Sequence, residues 1–534
     1  MPEASTVGEE KRELYHCGTL TYTKIGVVAL FIWLLWGDFA WSMKERAVGM
    51  VAGLLVKSFG ISDGLYSILI ISIPNFTNIF LMPIVSYRSD RHRGRFGRRI
   101  PYLLMYTPPV LAGLAGLAFT RQMGAALQQG IGPEVISQNM ANLIVFSVFW
   151  LLLDLGTTMT NALFMALSND VVPSELIGRF VAMFRAVSLG CAIIFNSFLL
   201  KYAETEVTLI FLSLAFLYGF GLLLMCAKVR EGEYPPLPAA EKARRGVGKA
   251  VRTYFKECFA MPYYRWVIGA FVVCALSPLP INIFVIFYVK ALGISLETFG
   301  YTQAAIFGFA MVASYPLGAL ADRYHPLRVG MISMGLLVLT MLAGGFFIGG
   351  TLSFTIVYAA QGVLIMSYNT LTASYGQRLF PKALYAQFNS ALQMVLAVVT
   401  VLAAPLIGGI LTFVEKSFYP DGSGGQYFLL FFLGGLIGLA GFAMLAVVYR
   451  YYQKLGGDRS YRPPQPERTF NPDGAFSHIH AVSGNLSGVV DREEFHMVEH
   501  VVSSGDGNHL GGRPPVLRHR IYHHDPVPAG NRNE

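Results

Sequence analysis

Four sets of polar and charged side chains interrupt otherwise apolar stretches, and each could do chemistry. The first runs from Trp33 and Trp36 through Asp38 and Trp41 to Lys44, Glu45 and Arg46. At helical spacing Asp38, Trp41, Ser42 and Glu45 share a face. A carboxylate beside an indole suits a sugar: the acid accepts hydroxyl hydrogen bonds while the ring packs on the apolar C–H face. The plainer reading makes Lys44, Glu45 and Arg46 a neutralised ion cluster that only holds helices together. The second set is Asp154, Thr157, Thr158 and Asn161, one stripe of a helix that follows Leu151, Leu152 and Leu153. An ionised carboxylate in such surroundings is costly. Asp154 therefore reads as a proton acceptor, or else as a carboxylate hydrogen-bonded to a neighbouring helix. The third is Arg185, set among Phe184, Ala186 and Val187. Its guanidinium needs a carboxylate, with Asp38 or Asp154 the expected partner. It binds substrate hydroxyls or is purely structural.

The fourth set is the basic stretch from Arg88 to Arg99, with six arginines in twelve residues. A loop so short and so basic marks the cytoplasmic side of a membrane. Within it Asp90, Arg91, Arg98 and Arg99 are placed to pair with the region of Asp170, Glu175 and Arg179, and so to lock one conformational state. The Asp-Arg pair recurs at Asp322-Arg323. The second half of the chain otherwise offers neutral groups, among them Asn282, Gln303, Gln361, Asn369 and Gln393. These either line a cavity or hydrogen-bond between helices.

The elements that must carry these sets are membrane helices. The chain has 534 residues, 54% hydrophobic and only 14% charged, with a mean hydropathy of +0.49. That balance excludes an ordinary soluble domain and predicts an all-α membrane protein. The net charge of +9 falls mostly in loops on one side, which is topology rather than nucleic-acid binding. Five cysteines lack metal spacing, and there is no nucleophile–base pair or phosphate loop. No enzyme activity and no cofactor are expected. The first residues lack an apolar core, so no cleavable signal peptide is expected.

A spanning helix needs about 20 apolar residues, and twelve such runs are present. They cover 25–56, 64–87, 101–120, 141–168, 179–200, 207–228, 264–290, 298–320, 329–350, 353–375, 386–414 and 427–450. Alternate loops hold most of the Lys and Arg, which places both termini in the cytoplasm and the protein in the cell (inner) membrane. The expected organisation is a cytoplasmic segment 1–23, a six-helix bundle 24–228, a linker 229–263, a second bundle 264–453 and a largely disordered cytoplasmic tail 454–534. An amphipathic surface segment is expected near Val251–Lys256. The tail carries eight of the eleven histidines, without a fixed ligand spacing. The halves echo one another. Asp90-Arg91 follows the second helix and Asp322-Arg323 the eighth, and Pro173…Phe180 after the fourth matches Pro381…Phe388 after the tenth. Such a repeat implies two bundles around a midplane site.

These landmarks resemble the major facilitator superfamily. Pro83 to Tyr102, with Asp90-Arg91 and Gly97-Arg98-Arg99-Ile100-Pro101, resembles the loop of the glycoside–pentoside–hexuronide:cation symporters and the sucrose transporters. Asp154 with Thr157-Thr158 and then Asp170 resembles the fourth helix of sucrose transporters, whose aspartate is taken as the proton acceptor. Asp38 resembles the first-helix sugar-binding aspartate of melibiose-type permeases. Arg185 resembles their fifth-helix arginine, and Asn161 falls near their fourth-helix sugar aspartate. The resemblance implies twelve helices, no cofactor and symport of a sugar. Asp154 would be proton-coupling, Asp38, Trp41, Asn161 and Arg185 substrate-binding, and Asp90, Arg91, Gly97, Arg98, Arg99, Asp322 and Arg323 gating. Asn78 and Met82 stand where sodium-coupled members carry two aspartates, so H+ is favoured over Na+. Met165 stands where sucrose transporters carry an arginine, so sucrose itself is not implied. Small molecule and lipid are the expected partners, with a monomer as the working unit. A carrier for a drug, lysolipid or organic anion, or a sensor that reports through the tail, stays open as an alternative.

Overall fold

The computed structural model describes residues 14–94, 96–233, 258–372, 375–381, 384–457, 461, 463 and 464, and at 82, 83, 86, 87, 90, 322 and 386 the backbone alone. The expected surface segment at 251–256 and the histidine-rich tail lie outside the described residues, as do the side chains of Asp90 and Asp322.

Twelve helices are long and apolar enough to cross a membrane: Lys24–Lys57, Asp63–Leu81, Ile100–Ala118, Gln138–Val171, Ser174–Tyr202, Val207–Lys228, Pro262–Ala291, Leu296–Ala321, Pro326–Phe347, Thr351–Leu379, Gln387–Phe418 and Gly425–Lys454. They are numbered first to twelfth in that order. Local chemistry sets several of their starts. Thr23, Ser137 and Ser295 stand in extended backbone, and each side chain accepts an N–H from the first turn that follows. The first and fourth helices have 34 residues each. At 1.5 Å per residue they are about 51 Å long, well beyond a hydrocarbon core of about 30 Å.

Two elements were not foreseen. Leu14–Cys17 and Leu20–Thr23 form an antiparallel hairpin that leads into the first helix. Thr120–Ile131 forms a helix between the third and fourth spans and packs on the fourth. Its twelve residues include Arg121, Gln122, Gln128 and Gln129, which make it too short and too polar to read as a span.

Helix packing falls into two sets. The first helix packs on the fifth and sixth, the third on the fourth and sixth, and the second on the fourth. The ninth packs on the tenth and twelfth, the seventh on the twelfth, and the eighth on the tenth. Between the third and fourth helices the backbones nearly touch: a Cβ at Gly113 would stand 2.9 Å from the Leu153 amide nitrogen, and one at Gly156 would stand 2.7 Å from Val110 Cγ2. Close approach through small residues substitutes for the hydrophobic drive that lipid does not supply. It also fixes the register of the fourth helix around Asp154.

The sets meet where the second helix packs on the eleventh and the fifth on the eighth. Polar contacts between them gather at the end opposite the basic loop. Asp63 is fully buried, pairs with Lys57 at 2.5 Å and accepts the Tyr427 hydroxyl at 3.1 Å. The Gly64 N–H donates to Thr412 Oγ1 at 3.1 Å, and Ser72 Oγ donates to the Val401 carbonyl at 2.9 Å. Tyr66 packs on Phe284 and Phe287. Lys201 pairs with Glu297 at 3.4 Å and Lys290 with Glu204 at 2.5 Å. Both first-set helices at this boundary contain a π-helical turn, Ile68–Ser72 and Phe195–Leu199. Their partners contain internal prolines, Pro316 and Pro405.

Candidate functional site

The fourth helix presents Asp154, Thr157 and Asn161, all half-buried, along one stripe. Asp154 accepts a hydrogen bond from Thr77 Oγ1 of the second helix at 2.6 Å, its only hydrogen-bond partner among the described residues. A hydroxyl can donate to a carboxylate and can accept from a carboxylic acid. Asp154 therefore keeps a partner whether or not it holds a proton. One turn further, Thr158 donates to Asn78 Oδ1 at 2.6 Å, a second tie between the same helices. Asn161 makes no hydrogen bond among the described residues.

Above this stripe lies a buried lysine. Lys44 is 2% exposed, so its amino group lies inside the bundle. It donates to Thr157 Oγ1 at 3.1 Å and pairs with Glu45 at 3.4 Å. It also lies over the rings of Trp41 (5.7 Å) and Tyr218 (5.4 Å). Sequence reasoning groups Lys44 with its charged neighbours as an ion cluster. The three side chains in fact diverge. Glu45 is half-exposed, and Arg46 donates to Ser188 of the fifth helix at 2.9 Å while resting on Phe307 of the eighth.

Two expectations about this site need correction. Asp38 is expected from the sequence to face the sugar, but it is 0% exposed. Its Oδ1 accepts from Ser42 one turn along the same helix at 3.1 Å, and its buried Oδ2 has no hydrogen-bond partner among the described residues. The fifth and sixth helices pack over that face of the first and enclose it. Arg185 is expected to pair with Asp38 or Asp154. It is exposed and makes no ion pair among the described residues. Arg185 and Ser188 are three residues apart and share a face. Ser188 holds Arg46, which touches the second set, so Arg185 faces the space between the bundles rather than either carboxylate. Trp41 is half-buried beneath Lys44, and its indole N–H has no acceptor among the described residues.

The basic loop is a knot of charge. Arg98 reaches Asp170, at the end of the fourth helix, through Nε at 2.9 Å and Nη2 at 2.5 Å; Arg99 Nε reaches it at 3.1 Å. Ser89 Oγ donates to the Arg98 carbonyl at 3.0 Å and accepts from Arg99 Nη1 at 3.0 Å. The pairing with Asp170 follows the expectation, although Glu175 and Arg179 are exposed and make no ion pair among the described residues. All these groups belong to the first set. The described part of the knot therefore fastens one bundle to itself. Arg91 ends the second helix, and Arg323 lies over the ring of Tyr324 at 5.3 Å.

Sequence reasoning missed Glu231. Its carboxylate accepts the N–H groups of Arg98, Arg99 and Ile100 at 2.8, 2.8 and 2.7 Å. One side chain beyond the sixth helix thus caps the start of the third, where amides lack partners and the dipole favours a negative charge. Gly97 lies in the left-handed region (φ +92°), and a Cβ there would run into the Glu231 side chain. Nearby the Cys17 thiol of the hairpin donates to the carbonyls of Asp170 and Val172, and Thr19 Oγ1 accepts the Glu233 N–H at 2.8 Å. Burial first, and the Asp170 charge second, push the Cys17 pKa up. A cavity lined by Arg93, Phe96, Gly97, Arg230, Glu231 and Glu233 opens at this end, away from the Asp154 stripe.

Residues 34–404 match the family model for the Major Facilitator Superfamily. No curated protein matches the chain. Among solved structures it is similar to the nucleoside transporter NupG (13% identity, TM-score 0.55, covering 79% of this chain and 99% of that one). It is similar to a D-xylose–proton symporter (13%, 0.53, 79% and 97%). It is also similar to a POT family transporter in complex with 5-aminolevulinic acid (14%, 0.54, 81% and 97%). At these identities the likeness is one of fold.

Proposed function

The chain belongs to the Major Facilitator Superfamily, and on that premise we propose that it carries a sugar or glycoside together with a proton. Membership makes it a multi-pass membrane transporter of small molecules. The finer reading rests on one observation. Asp154 is an intramembrane carboxylate whose only described hydrogen-bond partner, the Thr77 hydroxyl, serves both its protonation states. Such residues mark proton paths in transporters.

In this reading Asp154 takes and releases the proton. Asn161, on the same stripe, and Arg185, on the fifth helix, hydrogen-bond substrate hydroxyls, while Trp41 offers an apolar ring. The basic loop faces the cytoplasm. The far-end contacts around Asp63 then close the outer side, and transport proceeds by rocking of the two bundles between outward and inward access. Arg91, Arg98, Arg99 and Gly97 hold the cytoplasmic end of the first bundle rigid during that motion. Asp90, Asp322 and Arg323 stay assigned to the gate on sequence grounds.

The test is reconstitution with a pH-sensitive dye in the lumen. Adding the right sugar should move protons with it, and Asp154→Asn should stop uphill uptake yet allow exchange. If no sugar in a broad panel moves protons, the proposal fails. One observation favours a second reading. Arg185 is exposed between the bundles with no described carboxylate partner, which suits an organic anion; a carboxylate substrate accumulated by the wild type in place of any sugar would establish it.

A further inference from the structure

Lys44 is a buried ionisable group that the proposed mechanism leaves without a task. Its side chain is 2% exposed, among the largest fully buried side chains of the molecule. Removing an ammonium from water is costly, and the cost is recovered only by good partners. The partners here are unusual for a structural tie. The carboxylate that pairs with it, Glu45, is its sequence neighbour and is half-exposed, so the ion pair joins no two helices. Its one cross-helix hydrogen bond goes to Thr157, one turn from Asp154. Its remaining neighbours are the Trp41 and Tyr218 rings, on the first and sixth helices. Thr157, which the Lys44 amino group holds, and Asp154 are three residues apart on the fourth helix and share a face. Of the other charged groups on this helix, Asp38 accepts from Ser42 through Oδ1 and has a buried, unpartnered Oδ2, and Arg46 reaches Ser188 and Phe307.

We propose that Lys44 is a positioning residue for proton coupling, whose ammonium, held on Thr157 and over Trp41, is the counter-charge for ionised Asp154. The inference rests on the assignment of Asp154 as proton carrier and deepens it. After Asp154 gives its proton to water, its carboxylate remains in a dry site. A fixed cation nearby lowers the cost of that state, and so lets the empty carrier reorient. The step is acid–base only: one O–H bond breaks, one forms on water, and Lys44 keeps all its protons. Because the same ammonium covers the Trp41 ring, a ligand that packs on Trp41 must displace or rearrange it. Occupancy of the substrate surface is thereby linked to the charge felt at Asp154, as reciprocal coupling requires.

The test needs no substrate. Infrared titration of the purified full chain would follow the carboxylic acid C=O band that disappears in Asp154→Asn. In Lys44→Met that band should persist to pH values higher by about one unit or more, the size expected for loss of a nearby opposite charge. Lys44→Arg should restore the wild-type titration. An unchanged midpoint in Lys44→Met would overturn the proposal and leave Lys44 a packing residue. If Lys44→Met does not fold, Thr157→Val decides. It removes the positioning hydrogen bond alone and should move the midpoint in the same direction by less; no movement overturns the proposal. Failure of the parent assignment is distinguishable, because then no band is lost in Asp154→Asn.

Discussion

Ser72 donates its hydroxyl to the carbonyl of Val401 at 2.9 Å, across the boundary between the bundles. The Val401 carbonyl is available because residue 405, which would supply its helical N–H, is Pro405. A defect in the eleventh helix is thus repaired by a side chain of the second. Together with Asp63–Tyr427 and Gly64–Thr412, this bond holds the far end shut.

That closure predicts a change in access. Tyr427→Phe together with Ser72→Ala removes two cross-bundle hydrogen bonds, each worth about 1 kcal/mol. The population open on the far side should rise by up to roughly thirtyfold. A cysteine placed at Ser188, in a background with the five native cysteines replaced, should then react faster with an impermeant maleimide applied from that side. An unchanged rate would show that the remaining contacts, among them Gly64–Thr412, the Lys201–Glu297 and Lys290–Glu204 pairs and the packing of Tyr66, hold the closure without these two bonds.

Thr77→Val keeps the shape of the second helix and removes the hydroxyl that Asp154 uses. A hydrogen bond to a charged group contributes about 1.5–3 kcal/mol. Concentrative uptake should fall roughly ten- to a hundredfold. Wild-type uptake in this variant would mean that Thr77 plays no part in proton transfer.

Loss of the Glu231 carboxylate should act on stability. Glu231→Ala uncaps three amides at the start of the third helix. The cost should be about 1–2 kcal/mol, in the range of other lost N-terminal caps, read as a lowered melting temperature in detergent. Gly97→Ala should cost more, since the new Cβ meets Glu231 and the backbone is left-handed.

Cys17 should alkylate slowly at neutral pH. Only the thiolate reacts, and a raised pKa shrinks its fraction at any given pH. The sign follows directly: the rate should be low near pH 7 and climb at higher pH than for an ordinary thiol. Stopped-flow labelling of a variant that keeps Cys17 alone among the five cysteines would measure it.

Much of the fold was legible because lipid demands long apolar helices, and each of the twelve spans has one. The Asp154 stripe was legible too, since a carboxylate directly after three leucines stands out against an apolar helix and must meet a polar partner there. Lys44 was not. Three consecutive charged residues point in three directions on a helix, and only the positions of Tyr218 and Thr157 show which one turns inward. Glu231 was hidden for a different reason. Its partners are backbone amides more than 130 residues away, and backbone donors leave no trace in side-chain spacing. Arg185 misled because a buried arginine calls for a carboxylate, whereas this one is exposed.

The four helices that meet across the boundary all carry a break in helical regularity, as does the third helix at Pro108 and Pro109. Two carry π turns and two carry internal prolines. A π turn stores one surplus residue, and a proline removes one rung of the helical ladder. Both make a rod compliant at a defined point. The contact surfaces can therefore flex, so the shape change needed for transport can be taken up inside the mating helices and not only in the chain that links the halves.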